Sequence, residues 1–289
     1  MTDHTTASHD IERLAVLFER GPLAVITGAG LSTASGIPAY RDRHGDWRQR
    51  QPIQHQAFMA SEVVRRRYWA RSLVGWPVVS QAQPSNGHLA LTRLWRASKL
   101  ATLITQNVDG LHQKSGCDEV IELHGGIHGV RCMACAQTYA RSLVQQWLEH
   151  HNPAFEPGAA ESTRSAPDGD ADLEDACYAD FQVPACPACT GILKPDVVFF
   201  GDNVPKERVT RAMGSVEQAS GLLVVGSSLT VYSGYRFADL AHRLGKPLIA
   251  INQGVTRADP ILNIKIEEDC NQALVQLCEA LSLPTSDPA

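Results

Sequence analysis

Residues Thr27–Arg41, TGAGLSTASGIPAYR, follow directly on the apolar run Leu23–Thr27, LAVIT, and decide how the chain is read. A glycine-rich turn between a strand and a helix lets backbone N–H groups approach a ligand, most often a phosphate. Gly28 and Gly30 leave that room, and Ser32, where the helix starts, can reach a phosphate oxygen. The spacing is not the G-x-G-x-x-G of hydride-transfer folds. Gly36 and Pro38 in SGIP then stop a helix after barely one turn, so the next residues must form a loop that carries Tyr40 and Arg41 back over the ligand. In a hydride-transfer enzyme the helix would continue and an acidic residue would grip the ribose. The interruption predicts instead that a nicotinamide–ribose bond is enclosed and attacked.

Three further runs resemble LAVIT: ATLITQ ending at Gln106, LLVVGSS ending at Ser228 and PLIAIN ending at Asn252. Each is nearly all apolar, as a parallel strand covered on both faces must be, and helix-length segments separate them. This is the pattern of a doubly wound α/β fold with a parallel, Rossmann-like sheet, in which ligands sit outside the carboxyl ends of the strands. The polar strand ends, QNVD among them, predict one long binding rim. The expected organisation is a Rossmann-like domain over residues 1–42, 84–130 and 192–289, a helical insertion over 43–83, and a small inserted zinc-binding module over 131–191. Within the module the stretch rich in Pro, Gly, Ala and acids shows no apolar period and reads as a long surface excursion.

Bulk composition narrows the function. The 289 residues carry a net charge of −5, which gives no support to a phosphate-neutralising nucleic-acid surface. The arginine cluster Arg65–Arg71, RRRYWAR, reads as a solvated helix face. No apolar run is long enough to span a membrane, and the first residues show neither a signal core nor a transit pattern, so the expectation is a cytoplasmic protein acting on neither nucleic acid nor membrane. Without a secretion signal, cysteines point to metal rather than disulfides. Cys132 and Cys135, with Cys186 and Cys189, form two C-x-x-C pairs whose four thiolates fill a tetrahedral shell. A filled shell has no open position, so one structural Zn²⁺ is expected.

TQNVDGLH places Gln106, Asn107, Val108 and Asp109 at a strand end, with amide and carboxylate groups suited to ribose hydroxyls and a carboxamide. ELHGG places His124 beside glycines, where an imidazole can face a ligand. GAGLSTASGIPAYR, TQNVDGLH, ELHG, the two C-x-x-C pairs, KPDVVFFGD, VVGSSL and IN together, in this order from about Ile11 to Cys278, resemble the motif series of the sirtuins, NAD-dependent protein deacylases. QPIQH, RYWARSLVGWP, APDGD, FQVPAC and VYSGYRF are most similar to the class II branch, and point to a bacterial member.

The resemblance implies NAD as cosubstrate along the strand ends. Pyrophosphate would lie on the Gly28–Ser32 turn, with adenosine toward Gly226, Ser227, Asn252 and Cys270, and with Ser228, Gln253 and Gly254 also on the cofactor. Nicotinamide would lie near Ala29, Ile37, Asn107, Val108 and Asp109, with Tyr40, Arg41 and Gln106 also on the cofactor. It implies His124 as general base, with Asn107 and Asp109 in the catalytic set, and an acyl-lysine protein or peptide as substrate, held by Val198, Phe200 and Gly201 through strand addition. The products would be free lysine, nicotinamide and O-acyl-ADP-ribose. Two alternatives stand beside this: a protein mono-ADP-ribosyltransferase using the same activated ribose, and a non-catalytic NAD or ADP-ribose sensor. One departure is Ala39, where the family usually has an acid beside Arg41. An apolar acyl pocket is expected from Trp69, Leu73, Val74 and Trp76, with no match assigned to the Tyr-x-x-Arg pair of succinyl-removing members and no carboxylate role for Arg71; Arg164 in the long loop is the other arginine considered.

Overall fold

The computed structural model describes residues 4–47, 52–155 and 178–284. Arg164 and the motif APDGD lie outside them, as do residues 156–177 of the long segment between the cysteine pairs. In chain order the strands are β1 (Leu23–Thr27), β2 (Leu100–Thr105), β3 (Val120–Glu122), β4 (Gly125–Cys132), β5 (Thr138–Ala140), β6 (Leu193–Val197), β7 (Leu222–Val225), β8 (Leu248–Ile251) and β9 (Ile264–Ile266). The helices are α1 (His4–Arg20), α2 (His55–Ala60), α3 (Glu62–Gln81), α4 (Asn86–Arg96), α5 (Leu111–Lys114), α6 (Arg141–His151), α7 (Lys206–Gln218), α8 (Tyr232–Arg243) and α9 (Cys270–Ala280).

Six strands form one parallel sheet in the order β3-β2-β1-β7-β8-β9. Counted within that sheet, the order is 3-2-1-4-5-6, the doubly wound arrangement whose direction of winding reverses between β1 and β7. Leu23, Val25, Leu223, Val225, Ile249 and Ile251 face one way and pack under α1, α4 and α9. Ala24, Ile26, Leu222, Val224, Leu248 and Ala250 face the other way and pack against α7 and α8. The strands were legible because both faces are buried and nearly every position is apolar. β3 and β9 were not anticipated: three residues each leave too short a run to stand out.

The second unit is built on a three-stranded antiparallel sheet, β5-β4-β6. That sheet reaches Gly125 on one side and Val197 on the other, beyond the expected limits of 131 and 191. The module also contains the amphipathic helix α6, with Val144 and Leu148 buried; it ends just before the stretch read as a surface excursion, most of which lies outside the described residues. The helical insertion and the cysteine module share one core: Phe58, Tyr68 and Trp69 of the insertion pack in the same cluster as Val130, Val144, Leu148 and Leu193.

Arg141 ties the two together. The residue is 1% exposed, and its guanidinium donates to Gln145 Oε1 (2.8 Å) and to Ser72 O and Oγ (3.1 Å each) and stands over the rings of Trp69 and Trp76. Trp69 and Trp76 are thus structural partners of Arg141 rather than the walls of an acyl pocket. The arginine cluster on α3 is not a solvated face either. Arg65 donates to the carbonyls of Phe58 and Met59, Arg66 to that of Ala179, and Arg71 is buried. Long side chains here satisfy main-chain acceptors between elements, a use that residue type alone does not announce. Replacing Arg141 with alanine removes three charge-assisted hydrogen bonds and the packing against two indoles, so R141A is expected to lose about 3 kcal/mol of stability. Urea denaturation of the variant and the parent at equal zinc content measures it.

Candidate active site

The carboxyl ends of β1, β2, β7 and β8 open onto a single cavity of about 610 Å³. Its floor is made where the winding reverses. Gly30 N donates to Gly226 O (2.9 Å), and a Cβ on Gly30 would stand 2.9 Å from Gly226 Cα. Gly226 itself has φ +58, and a Cβ there would fall 2.5 Å from Leu31 N. The turns after β1 and β7 therefore cross at a distance that only glycine allows. The residues that follow form a short 3-10 helix, Ala29–Ser35, closed by Gly36 at φ +82, and the chain then turns back over the cavity.

Every residue expected to touch NAD, catalyse or hold the substrate backbone lines this cavity, with one exception, whereas Trp69, Leu73, Val74 and Trp76, expected around the acyl group, do not. The exception is Gly254. Its φ of +94 and the 2.2 Å from a would-be Cβ to Arg43 O show that it seats the covering loop instead. The loop's own clasp answers the question raised by Ala39. Arg41 has its guanidinium 4.0 Å from the centre of the Trp47 ring and donates to Gly45 O (2.7 Å). An aromatic face and a carbonyl occupy the arginine where the family usually places an acid.

Ser32, expected to reach a phosphate, is committed elsewhere. Its hydroxyl donates to Asp109 Oδ2 (2.7 Å) and accepts from Asn107 Nδ2 (3.0 Å), while Asn107 also donates to Gly28 O (3.1 Å). The other carboxylate oxygen of Asp109 accepts from Leu111 N (3.0 Å). The three polar residues thus lock the glycine turn to the end of β2. Beneath them lie two histidines that the sequence reading passed over. His112 meets Thr27 Oγ1 (2.9 Å), and its ring centre is 4.9 Å from that of His88. Burial pushes both imidazoles down, His88 to about 4, so they support the turn as neutral rings.

His124 stands at the edge of the cavity, just beyond β3. Its Nδ1 is 2.9 Å from Gln106 O, a carbonyl that can only accept, so the proton is on Nδ1 and Nε2 is the bare acceptor. Burial lowers its pKa; the Gln106 carbonyl opposes that shift, and the charges of Arg208 and Arg236 add to it. The ring is therefore a neutral base at neutral pH. Nε2 faces Ser233 Oγ at 2.9 Å, on the first turn of α8. Neither Ser233 nor Trp47 was singled out from sequence: Ser233 lies in VYSGYRF, which was quoted as a whole for its resemblance, and Trp47 lies in none of the quoted motifs.

The substrate segment differs from expectation. β6 ends at Val197, and residues 198–201 leave the sheet. Val198 N donates to His124 O, Phe200 O accepts from His55 N, and Gly201 O accepts from Gln56 Nε2, each at 2.8 Å. The segment is stitched on one side to the base-bearing loop and on the other to the helical insertion. An apolar side pocket opens beside it, lined by Tyr40, Pro52, Ile53, Tyr68 and residues 197–200. Tyr68 and Arg71 do have the Tyr-x-x-Arg spacing that was left unassigned, but only Tyr68 reaches this pocket.

Cys132, Cys135, Cys186 and Cys189 bring their sulfurs within 4.8 Å of one another. The pairs Cys132–Cys189 and Cys135–Cys186 stand 3.4 and 3.8 Å apart, close to the ~3.8 Å that a tetrahedral shell with ~2.3 Å Zn–S bonds requires. Each C-x-x-C pair is followed by a left-handed residue, Ala136 and Thr190, both at φ 61, and a Cβ on Gly191 would stand 2.9 Å from Cys132 Sγ. The donor set and its geometry fit a structural zinc.

A model of the Sir2 family matches residues 28–233. The chain belongs to the Sir2 family. It is 51% identical to an NAD-dependent protein deacetylase of Xanthomonas axonopodis pv. citri over 98% of this chain and 93% of that protein. It is 50% identical to NAD-dependent protein deacetylase 2 of Bradyrhizobium diazoefficiens, over 96% of this chain and all of that one (100%). Among solved structures, it resembles Sir2 with a p53 peptide and NAD⁺ (TM-score 0.75, 29% identity, 92% of this chain and 96% of that chain). It also resembles Sir2 bound to an acetylated peptide (TM-score 0.76, 27% identity, 95% and 99%).

The shared core makes the metal a test of the whole second unit. Protein as purified is expected to hold one zinc per chain by atomic absorption. Chelation is expected to lower activity and expose Trp69 and Trp147 to quenchers, because a closed thiolate site contributes its binding energy to folding. Metal-free protein with full activity would contradict the assignment.

Proposed function

We propose that this chain is an NAD-dependent protein lysine deacetylase of sirtuin type, transferring the acyl group of an acyl-lysine to ADP-ribose with release of nicotinamide. The observation that carries the reading is His124: a neutral imidazole lining the cavity built on the Gly28–Ser32 turn, its Nδ1 proton pinned by Gln106 O and its Nε2 left as the acceptor, 2.9 Å from Ser233 Oγ. NAD supplies the ribose carbon that the acyl oxygen attacks as nicotinamide leaves. The crossed glycine turns give the cosubstrate close access to backbone, and Asn107 with Asp109 fixes the wall of the nicotinamide end. The clasped loop of Tyr40 and Arg41 covers it and keeps water from the strained glycosidic bond. His124 then removes a proton from a ribose hydroxyl, so that the sugar oxygen attacks the acyl carbon. Membership of the class II branch is supported by RYWARSLVGWP and VYSGYRF, which supply α3 and the start of α8. The side pocket beside residues 197–200 is the place for the acyl group.

His124→Ala is expected to cut deacetylation by about 10²–10⁴-fold while NAD binding, measured by calorimetry, changes little. Near-normal turnover would remove His124 from the chemistry. The pH profile follows from the direction of its shift. A base whose pKa lies below the ordinary imidazole value remains neutral as pH falls past 6.5, so the acid limb of kcat is expected below that value. Mass analysis of the peptide separates loss of the acyl group from gain of ADP-ribose.

The side pocket is apolar and offers a carboxylate no cation among the described residues that line it, so burying one there is costly. Acetyl and longer neutral acyl peptides are expected to have the higher kcat/KM. A succinyl peptide that beats every neutral one by about tenfold, ~1.4 kcal/mol at the transition state, would overturn the pocket's assignment.

A further inference from the structure

The base is not open to the cavity directly. Nε2 of His124 has one lone pair in the ring plane, and Ser233 Oγ already occupies it at 2.9 Å. Because the Nδ1 proton is committed to Gln106 O, the serine is the donor in this contact. The same hydroxyl makes no other hydrogen bond among the described residues, and Ser233 lines the cavity, so its acceptor lone pairs remain available to a ligand.

The position of this serine is built into the fold. It lies in the first turn of α8, directly before Gly234, and a Cβ on Gly234 would stand 2.3 Å from Gln106 Oε1. The missing side chain lets α8 press against Gln106, the residue whose carbonyl orients His124. One contact thus places both the carbonyl that fixes the base and the hydroxyl that caps it. Arg236, one turn further along α8, also lines the cavity, and its charge helps hold the imidazole neutral.

We infer that Ser233 relays the proton between the ribose hydroxyl and His124, an inference that rests on the deacetylase reading above. The ribose hydroxyl donates to Ser233 Oγ while Ser233 donates to Nε2. As the sugar oxygen attacks the acyl carbon, its proton passes to the serine oxygen and the serine's own proton passes to Nε2. Ser233 ends as a hydroxyl and the imidazole as imidazolium; the electron pair left by the departing proton forms the oxygen–carbon bond, and the carbon–nitrogen π pair of the acyl carbon moves onto the lysine nitrogen.

The relay acts after nicotinamide has left, which gives a readout that a merely structural role would not produce. Ser233→Ala, assayed as the full zinc-loaded chain, is expected to lower the rate of acyl transfer by about tenfold or more. Nicotinamide exchange, measured with labelled nicotinamide, and the KM for NAD are expected to stay within about twofold of the parent. Ser233→Thr, which keeps the hydroxyl, is expected to restore most of the rate. A Ser233→Ala enzyme that transfers acyl groups as fast as the parent or faster would overturn the relay, leaving the serine as a cap that substrate displaces. Equal loss of exchange and transfer, or no rescue by threonine, would overturn it as well. His124→Ala run in parallel separates the two ideas. If His124→Ala is inactive and Ser233→Ala is not, the relay alone falls; if His124→Ala is active, the reading of the base falls first.

Discussion

Everything at the site hangs on one close approach of backbone to backbone, the Gly30–Gly226 crossing where the winding of the parallel sheet reverses. The two strands there are neighbours, but the chain leaves them in opposite directions, and the crevice between the departing turns is the space a dinucleotide fills. The crossing is close enough to exclude any side chain on the two glycines. Around it the polar groups are arranged to hold the turns rather than to wait for ligand: Ser32, Asn107 and Asp109 are bonded to each other and to main chain. Binding at such a site costs little reorganisation, because its walls are already fixed.

The parts of the sequence that could be read were those where physics leaves few choices. LAVIT and LLVVG are apolar at nearly every position because both faces of a parallel strand are covered, so the sheet was visible in them. The cysteine pairs were visible because a two-residue gap is what a shared tetrahedral metal needs. The roles of long and polar side chains were harder. Arg65, Arg66 and Arg71 carry a surface residue's chemistry, yet they serve carbonyls or lie buried, and only the packing of α3 against α2 and the cysteine module shows why. Ser32 looked like a phosphate ligand because of its place after the glycines. Its actual partners come from the turn after β2, more than seventy residues away, a separation that no local pattern encodes.

The division into a helical insertion and a metal module was a division of the chain, not of the folded molecule. Two segments far apart in sequence complete one hydrophobic cluster, with Arg141 buried between Ser72 of one and Gln145 of the other. Tyr68 belongs to that cluster and also lines the pocket beside the substrate segment. A structural metal at the four cysteines therefore bears on the shape of the side pocket proposed for the acyl group through contiguous packing.

The clasp of Arg41 on Trp47 has a practical side. Of the five tryptophans, Trp69, Trp76 and Trp147 belong to the core of the second unit and Trp95 packs against that of the large sheet, while Trp47 alone of them lines the cavity. Its indole lies under a guanidinium and within 6.3 Å of the Tyr40 ring, centre to centre, on the loop that covers the cavity. Indole emission responds to the charge and polarity around the ring, and here both belong to the loop. The molecule thus carries its own optical probe, placed so that light from one residue reports on the roof of the site while the other four supply a steady background.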